Sequence, residues 1–459
     1  MKKIALLFIL KFMFTNISAQ TCAGISVTTE SEIQMNCNTL PLTMMHDNTG
    51  LPYLYVANKS VGLTIYNISD INNPSLLATL PATQFSDLHV TNLCQQGSYL
   101  YLSLGNSFGS DLQAGGMAVV DISNITFPVL TDYIVIPKTA SGAGAVKVLG
   151  NYAFLGVMRT GLAILDIANK SDIKITSVYK PSINYPPIAN PDTLKINARG
   201  IELVNDLVYL SYDAGGMRII DCTDKYNPKE VGQYANPITY VPFNRPRAYN
   251  NALLDFPYLY VAVDYCGVEV LNVSDTADIS LVSSWNPYNC PNNNWFNTPV
   301  HANEIQLDTA CNKLFLSTGK SDMIALDVTN PNSPDSCFGY GGVDNSIGTW
   351  GVNIYENQIY LSYICSVIPF SSNWPGIKVL SYNSCLTNIN EVNKKAANLI
   401  VILPGVESIR VTSNNYAHYY AINTLGQQTK LEIIGRSQNT IELNTTALSA
   451  GVYYIVTLE

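Results

Sequence analysis

The chain has 459 residues, a formal charge of −9, 47% hydrophobic residues and only 13% charged ones, against about 25% charged in an average soluble domain. Tyr (29), Gly (29) and Pro (23) are abundant instead, a mix that favours strands and turns over helices. The apolar share excludes a largely disordered chain, and an acidic balance without a basic stripe argues against a nucleic-acid partner.

Residues 1–19 read as a secretory signal peptide. Lys2 and Lys3 form the positive region, Ile4 to Phe14 the apolar run, and Ser18-Ala19-Gln20 the small-residue cleavage zone. The run is too short to span a bilayer. No later stretch reaches the ~18 apolar residues a span needs, so no transmembrane segment is expected after cleavage. All ten cysteines follow the cleavage zone, where disulfides can form; their pairing is not readable.

One pattern then recurs seven times: an aromatic-rich strand, a short loop, Gly-aliphatic-x-aliphatic-aliphatic-Asp, and a turn. Tyr53-Leu54-Tyr55-Val56 and Tyr99-Leu100-Tyr101-Leu102 are the first two aromatic strands. The Asp-type strands end at Asn67, Asp121, Asp166, Asp221, Asn272, Asp327 and Ser381, spaced 54, 45, 55, 51, 55 and 54 residues apart. A further strand precedes each aromatic one, and another follows the turn, giving four antiparallel strands a, b, c and d per unit. At this period such units predict a seven-bladed β-propeller over residues 20–385, whose radial packing protects the sheet edges. The seventh unit lacks a strand d, and residues near Ile25–Thr29 are expected to supply it. The Asp or Asn at each strand c end is assigned to turn hydrogen bonding rather than to a metal, because seven copies spread around a ring do not converge. No metal site and no cofactor are expected.

Gly116-Met117-Ala118-Val119-Val120-Asp121 and Gly216-Met217-Arg218-Ile219-Ile220-Asp221, with the trailing Asn73-Pro74 and Asn227-Pro228, resemble the LVIVD-repeat family over about residues 50–385. The resemblance implies a bacterial extracytoplasmic propeller without a shared chemistry.

Residues 386–396 read as a linker. Residues 397–459 hold six strand candidates: Leu399–Ile402, Ser408–Thr412, Ala417–Ile422, Lys430–Ile434, Thr440–Leu443 and Val452–Leu458. They are expected to form a small Ig-like β-sandwich. Tyr420-Ala421-Ile422-Asn423-Thr424-Leu425-Gly426-Gln427 and Leu448-Ser449-Ala450-Gly451-Val452-Tyr453-Tyr454-Ile455 resemble the type A C-terminal sorting domain of the type IX secretion system of the Bacteroidetes. That resemblance implies the type IX machinery as a partner. It implies delivery through the periplasm to the extracellular space or the outer-membrane surface.

Zinc-protease, serine-hydrolase and phosphate-loop motifs are absent from the sequence. Topology places the candidate site instead. In an antiparallel meander the d–a and b–c connections share one face, and the long loops fall there. They carry or flank Trp285, Trp295, Trp350 and Trp374. Strand a brings Arg199, Arg247, His301 and Glu304 to the same channel mouth. The leading reading is a non-catalytic binding or adhesion propeller whose ligand is a glycan or a peptide. The alternative is an extracellular polysaccharide- or peptide-processing enzyme working at that mouth.

Overall fold

The computed structural model describes residues 25–37, 42–105, 114–136, 142–187, 196–236, 248–287, 290, 298, 300–319, 322–342, 347–365, 374–383, 398–402, 408–412, 418–423, 428–436, 440–446, 448 and 451–458. The segments read as a signal peptide (1–19) and as a linker (386–396) lie outside these residues. The chain divides into two units, Met1–Cys385 and Leu386–Glu459.

Among the described residues the first unit is a set of four-stranded antiparallel sheets, numbered here in chain order. Sheets 1 to 3 are Met44–Pro81, Val90–Ile136 and Ala145–Tyr179. Sheets 4 to 6 are Gly200–Tyr234, Tyr249–Trp285 and Ile305–Tyr340. Sheet 7 takes strands a to c from Gly348–Tyr355, Gln358–Ile364 and Gly376–Tyr382. Its fourth strand is Val27–Gln34, paired antiparallel from Val27 opposite Tyr382 to Gln34 opposite Gly376. The expected closing segment therefore does close the last sheet, and it runs five residues further than Thr29. The inner strands of neighbouring sheets touch in an unbroken cycle, Gly348–Tyr355 packing against Met44–His46. This is a propeller-like, all-β architecture.

The hydrophobic effect acts between the sheets. Strands b and c are mostly apolar and are buried on both sides, as in sheets 1 and 3. Each core cluster draws on two adjacent sheets: Leu63 with Leu102, Tyr101 with Leu155, Phe154 with Leu210, and so on to Val56 with Val379. The repeated glycine opening strand c has a steric cause. At Gly216 (φ +77°) and Gly267 (φ +80°) a Cβ would sit 2.2 Å from the carbonyl oxygen of Tyr234 or Trp285. Sheet 6 has Asp322 at this position, and Gly341 (φ +75°) across the ladder makes room for its carboxylate.

The strand c ends confirm the turn assignment. Asn67, Asp121, Asp166, Asp221, Asn272 and Asp327 each accept the backbone N–H two residues on, at 2.8–2.9 Å. Three residues later Asp70, Asn124, Asn169, Asp224, Asp275 and Asn330 repeat the same bond. Ser381 instead bonds Glu30 of the closing strand.

In three sheets the residue two places beyond the opening glycine is charged: Arg218 and Glu269 are buried and Lys378 is half-buried. Arg218 donates from Nε to the Gly215 carbonyl (2.9 Å), from Nη1 to Glu230 (3.0 Å), and from Nη2 to the Ser182 and Tyr185 carbonyls. It thereby ties the loop before sheet 4 to its blade. Glu269 accepts from Asn236 Nδ2 at 2.8 Å and from Tyr249 OH at 2.9 Å. Lys378 lies over the rings of Tyr340, Tyr363 and Trp374 at 4.9–5.5 Å.

In the second unit Asn398–Ile402, Gly451–Leu458, His418–Asn423 and Gln428–Leu431 form one sheet. Ser408–Thr412, Thr440–Asn444 and Ile433–Arg436 form the other. Tyr419, Ala421, Leu431, Ile441 and Leu443 are their shared core. The strand expected over Lys430–Ile434 is two strands, because the chain changes sheet at Glu432, whose carbonyl accepts from Asn444 N–H.

Cys37 and Cys365 form a disulfide across 328 residues, tying the closing strand to sheet 7. Removing it with Cys37→Ser/Cys365→Ser is expected to cost about 2–4 kcal/mol. The expected fall in melting temperature is about 4 °C, measured by scanning calorimetry. A second expectation concerns Glu269. Burial pushes its carboxyl up to about 7 from 4.5, against the hydrogen bonds from Asn236 and Tyr249. The folded state therefore holds this proton longer than the unfolded one. Stability should fall as pH rises from about 4.5 through about 7. Melting curves across that range should show a shallower slope for Glu269→Gln than for the native protein.

Candidate functional site

Register decides which side chains reach the axis. In each sheet an aromatic residue of strand b faces one inner-strand residue across the a–b ladder. The pairs are Tyr55 with Met45, Tyr101 with Cys94, Phe154 with Lys147, and Tyr209 with Glu202. Tyr260 with Leu253, Phe315 with Gln306, and Tyr360 with Asn353 complete the series. All seven inner-strand residues line one central cavity of about 280 Å³. Two residues nearer the start of strand a, Asn92, Asn251 and Glu304 line it as well. Arg199, Trp350 and Val352 complete the mouth.

The mouth is built by the b–c turns. Lys59, Met158, Asp213 and Asp264 follow strand b with φ of 38°, 30°, 51° and 26°, a left-handed conformation that costs a side chain roughly 1–3 kcal/mol. Each forms a β-bridge to the start of the next sheet's inner strand or to the residues just before it, at Val90, Ala198, Tyr249 and Ala302. Ala302 N–H, for example, donates to the Asp264 carbonyl at 2.9 Å. The strain is thus offset by hydrogen bonds that lock one blade to the next.

Two of these left-handed residues are aspartates with catches of their own. Asp213 Oδ2 accepts from Arg199 Nε and from Asn197 Nδ2, both at 2.9 Å. Burial raises the Asp213 carboxyl, and Arg199 opposes the rise. Asp264 Oδ1 lies 2.5 Å from His301 Nδ1. Below them Lys147 Nζ sits 3.4 Å from Glu202 Oε2. Burial pushes the Glu304 carboxyl up to about 8, opposed by the Val352 backbone N–H and by Lys147. Gly351 leaves it room, since a Cβ there would lie 3.2 Å from Glu304 Oε2.

Of the residues expected at the site, Arg199, Glu304 and Trp350 do share this cavity. The others part from it. His301 is fully buried behind Asp264 and is not in the cavity lining. Trp285 is 6% exposed and packs among Val268, Val270 and Val300 in the core between sheets 5 and 6. As the last residue of strand d it closes over Gly267 and presents no platform. Trp374 stands edge-on to Tyr363 at 5.0 Å and covers the Lys378 ammonium at 5.5 Å, so it serves as a loop pin. Trp295 and Arg247 lie outside the described residues. Lys147, Glu202 and Asp213 were not among the expected residues. The signal for the first two was their position opposite the strand b aromatic, and Asp213 occupies a left-handed turn position that sequence alone does not mark. Among the described residues no three His, Cys, Asp or Glu side chains converge on a metal position. No helix there is long and apolar enough to cross a membrane.

The LVIVD repeat family model matches residues 52–80, 112–133 and 141–180. No curated protein matches the chain. Among solved structures, the β-propeller domain of Cps50 (Swd1) from Myceliophteria thermophila superposes with a TM-score of 0.55 at 10% identity, covering 78% of this chain and 99% of that one. The C-terminal WD40 domain of Sif2 does so at 0.50 and 10% identity, covering 77% and 98%. A chain of the mitotic checkpoint complex does so at 0.51 and 10% identity, covering 82% and 98%. At this identity the likeness concerns the fold alone. The chain is a repeat β-propeller carrying LVIVD repeats.

Proposed function

We propose that the protein is an exported binding propeller of seven blades whose ligand, a glycan or a peptide, seats on the axis at the mouth formed by Arg199, Glu304 and Trp350. A fold of this kind hosts many unrelated functions, so the argument rests on the site. The observation that carries it is the lining of the axial cavity. Each sheet contributes at least one residue to it, and the lining mixes an ion pair, open amides and an indole. Purely structural channels need no such mixture, and a cavity with a few convergent polar groups is the usual form of a ligand site.

The C-terminal unit we read as an Ig-like sorting module, recognised by the type IX secretion machinery after the signal peptide has directed the chain to the periplasm. Its destination is then the outer-membrane surface or the medium. Support comes from the sequence resemblance and from the Gly451–Leu458 strand, which sits between two partners in its sheet.

A second reading, hydrolysis of a polysaccharide or peptide, draws on Glu202 and Glu304 lining one cavity with the latter held protonated near neutral pH. Release of reducing ends or new amino termini from the bound ligand, abolished in Glu304→Gln, distinguishes it from simple binding.

Binding is tested on a glycan and peptide array with the mature protein. Trp350→Ala should weaken the retained ligand by about 1–3 kcal/mol with a smaller fall in melting temperature than Trp285→Ala, because its ring also packs on Leu42, Ile364 and Cys365. Trp285→Ala should cost stability by about 3–5 kcal/mol and leave affinity unchanged. The reverse pattern would move the site away from the axis. Deleting residues 398–459 should leave the propeller folded and hold it in the periplasm, seen by cell fractionation; normal surface delivery of the shortened chain refutes the sorting role.

A further inference from the structure

Two arginines of sheet 4 are used in opposite ways. Arg218 engages all three of its nitrogens with the protein. Arg199 engages one. Its Nε donates to Asp213 Oδ2 at 2.9 Å, and its two Nη groups bond nothing among the described residues. The side chain is 28% exposed and lines the axial cavity. Asp213 therefore fixes the plane of the guanidinium, and its outer fork is left without a partner among the described residues. Such a fork matches a carboxylate in geometry and charge, with two parallel N–H···O⁻ bonds.

The rest of the lining narrows the class. The Asn92 and Gln306 amides face the same cavity without a protein partner among the described residues. Each offers a donor and an acceptor, as ligand hydroxyls require. Trp350 lines the cavity as well, an indole of the kind on which sugar rings stack. Lys147 is already matched by Glu202 and Arg199 shares its charge with Asp213, so what selects a carboxylate here is the geometry of the Nη fork and not a spare positive charge.

Resting on the reading of the axial cavity as the binding site, we propose that its ligand is a uronic acid residue, a hydroxyl-rich sugar ring whose carboxylate docks on the Nη fork of Arg199. The fork takes the carboxylate, and Asn92 and Gln306 take ring hydroxyls. Glu304 enters as a pH control. While protonated it adds no charge, and once ionised it repels the carboxylate. The other charged or titratable side chains lining the cavity are Cys94, Lys147, Arg199 and Glu202, and burial keeps the Cys94 thiol neutral by raising it.

The test is titration calorimetry of the full-length chain with galacturonate and trigalacturonate, against galactose and galactotriose, and against a tri-glutamate peptide. The uronates should bind at least about tenfold more tightly than the neutral sugars and the peptide. Arg199→Lys keeps a cation beside Asp213 but removes the fork. It should weaken uronate roughly ten- to hundredfold and leave neutral sugars unaffected. Uronate affinity should decline as pH rises past about 8, and Glu304→Gln should remove that decline. Equal affinity for galactose overturns the proposal while leaving the binding site in place. Tighter binding of tri-glutamate overturns the sugar assignment. A folded protein that binds neither uronate overturns it too, and one that binds nothing on the array removes the underlying site as well. If Arg199→Lys fails to fold, discrimination by the native chain decides alone.

Discussion

A ring of sheets is stable only if its last sheet is finished by its first strand. Here that constraint falls on the ladder between Val27–Gln34 and Gly376–Tyr382, fastened by the Cys37–Cys365 bond. Without it sheets 1 and 7 would each expose an apolar face, Met44, Leu54 and Val56 on one side and Tyr360, Ile377 and Val379 on the other. Every inner strand is positioned by its two neighbours, so the axial cavity exists only in the closed ring. An edge left open would also offer unpaired backbone groups to other chains.

Within the ring, the same few backbone solutions recur because the packing problem recurs. The glycine opening strand c allows close approach of the strand d carbonyl, and where Asp322 replaces it the missing side chain moves to Gly341. The tandem Asp and Asn turns satisfy backbone N–H groups that strands c and d leave unpaired. These are local requirements, which is why the sequence exposed them. Strands b and c, their spacing and the turn role of Asp121 or Asp221 were all readable from composition and period. The second Asp or Asn of each turn, three residues on, followed the same logic and was overlooked.

The site was legible only in part, and the reason is one of distance along the chain. Arg199, Glu304 and Trp350 were found because topology brings strand a starts to one mouth. Trp285 and Trp374 were assigned to the same surface by loop membership, which says nothing about which way a ring points. Trp285 turns inward because it ends strand d above a residue without a Cβ. Trp374 turns to Lys378, whose position in strand c is shared with Arg218 and Glu269 but whose cage draws on Tyr340 of the neighbouring sheet. Such contacts between blades have no signature in a single repeat. Lys147 and Glu202 lie 55 residues apart in sequence and 3.4 Å apart in space, a pairing that appears only once the register of two separate ladders is known.

Repetition of the backbone makes the variation of side chains at one position informative. The seven positions opposite the strand b aromatics carry Met45, Cys94, Lys147, Glu202, Leu253, Gln306 and Asn353. A ring that served only to fill its own axis could use one residue type throughout, since the geometry is the same in every sheet. Here the charges gather on sheets 3 and 4, the amides on sheets 6 and 7, and sheets 1, 2 and 5 supply Met45, Cys94 and Leu253. Arg199 adds a cation above the charged side, and Trp350 an indole above the amide side. At the level of these seven positions the cavity is therefore polarised across its diameter although its frame is nearly symmetric, while Asn92, Asn251 and Glu304 line it nearer the mouth. A symmetric occupant such as a single metal ion has no use for that polarity. An elongated ligand whose two ends differ in chemistry meets different groups at the two sides, so the lining distinguishes one orientation of it from the other.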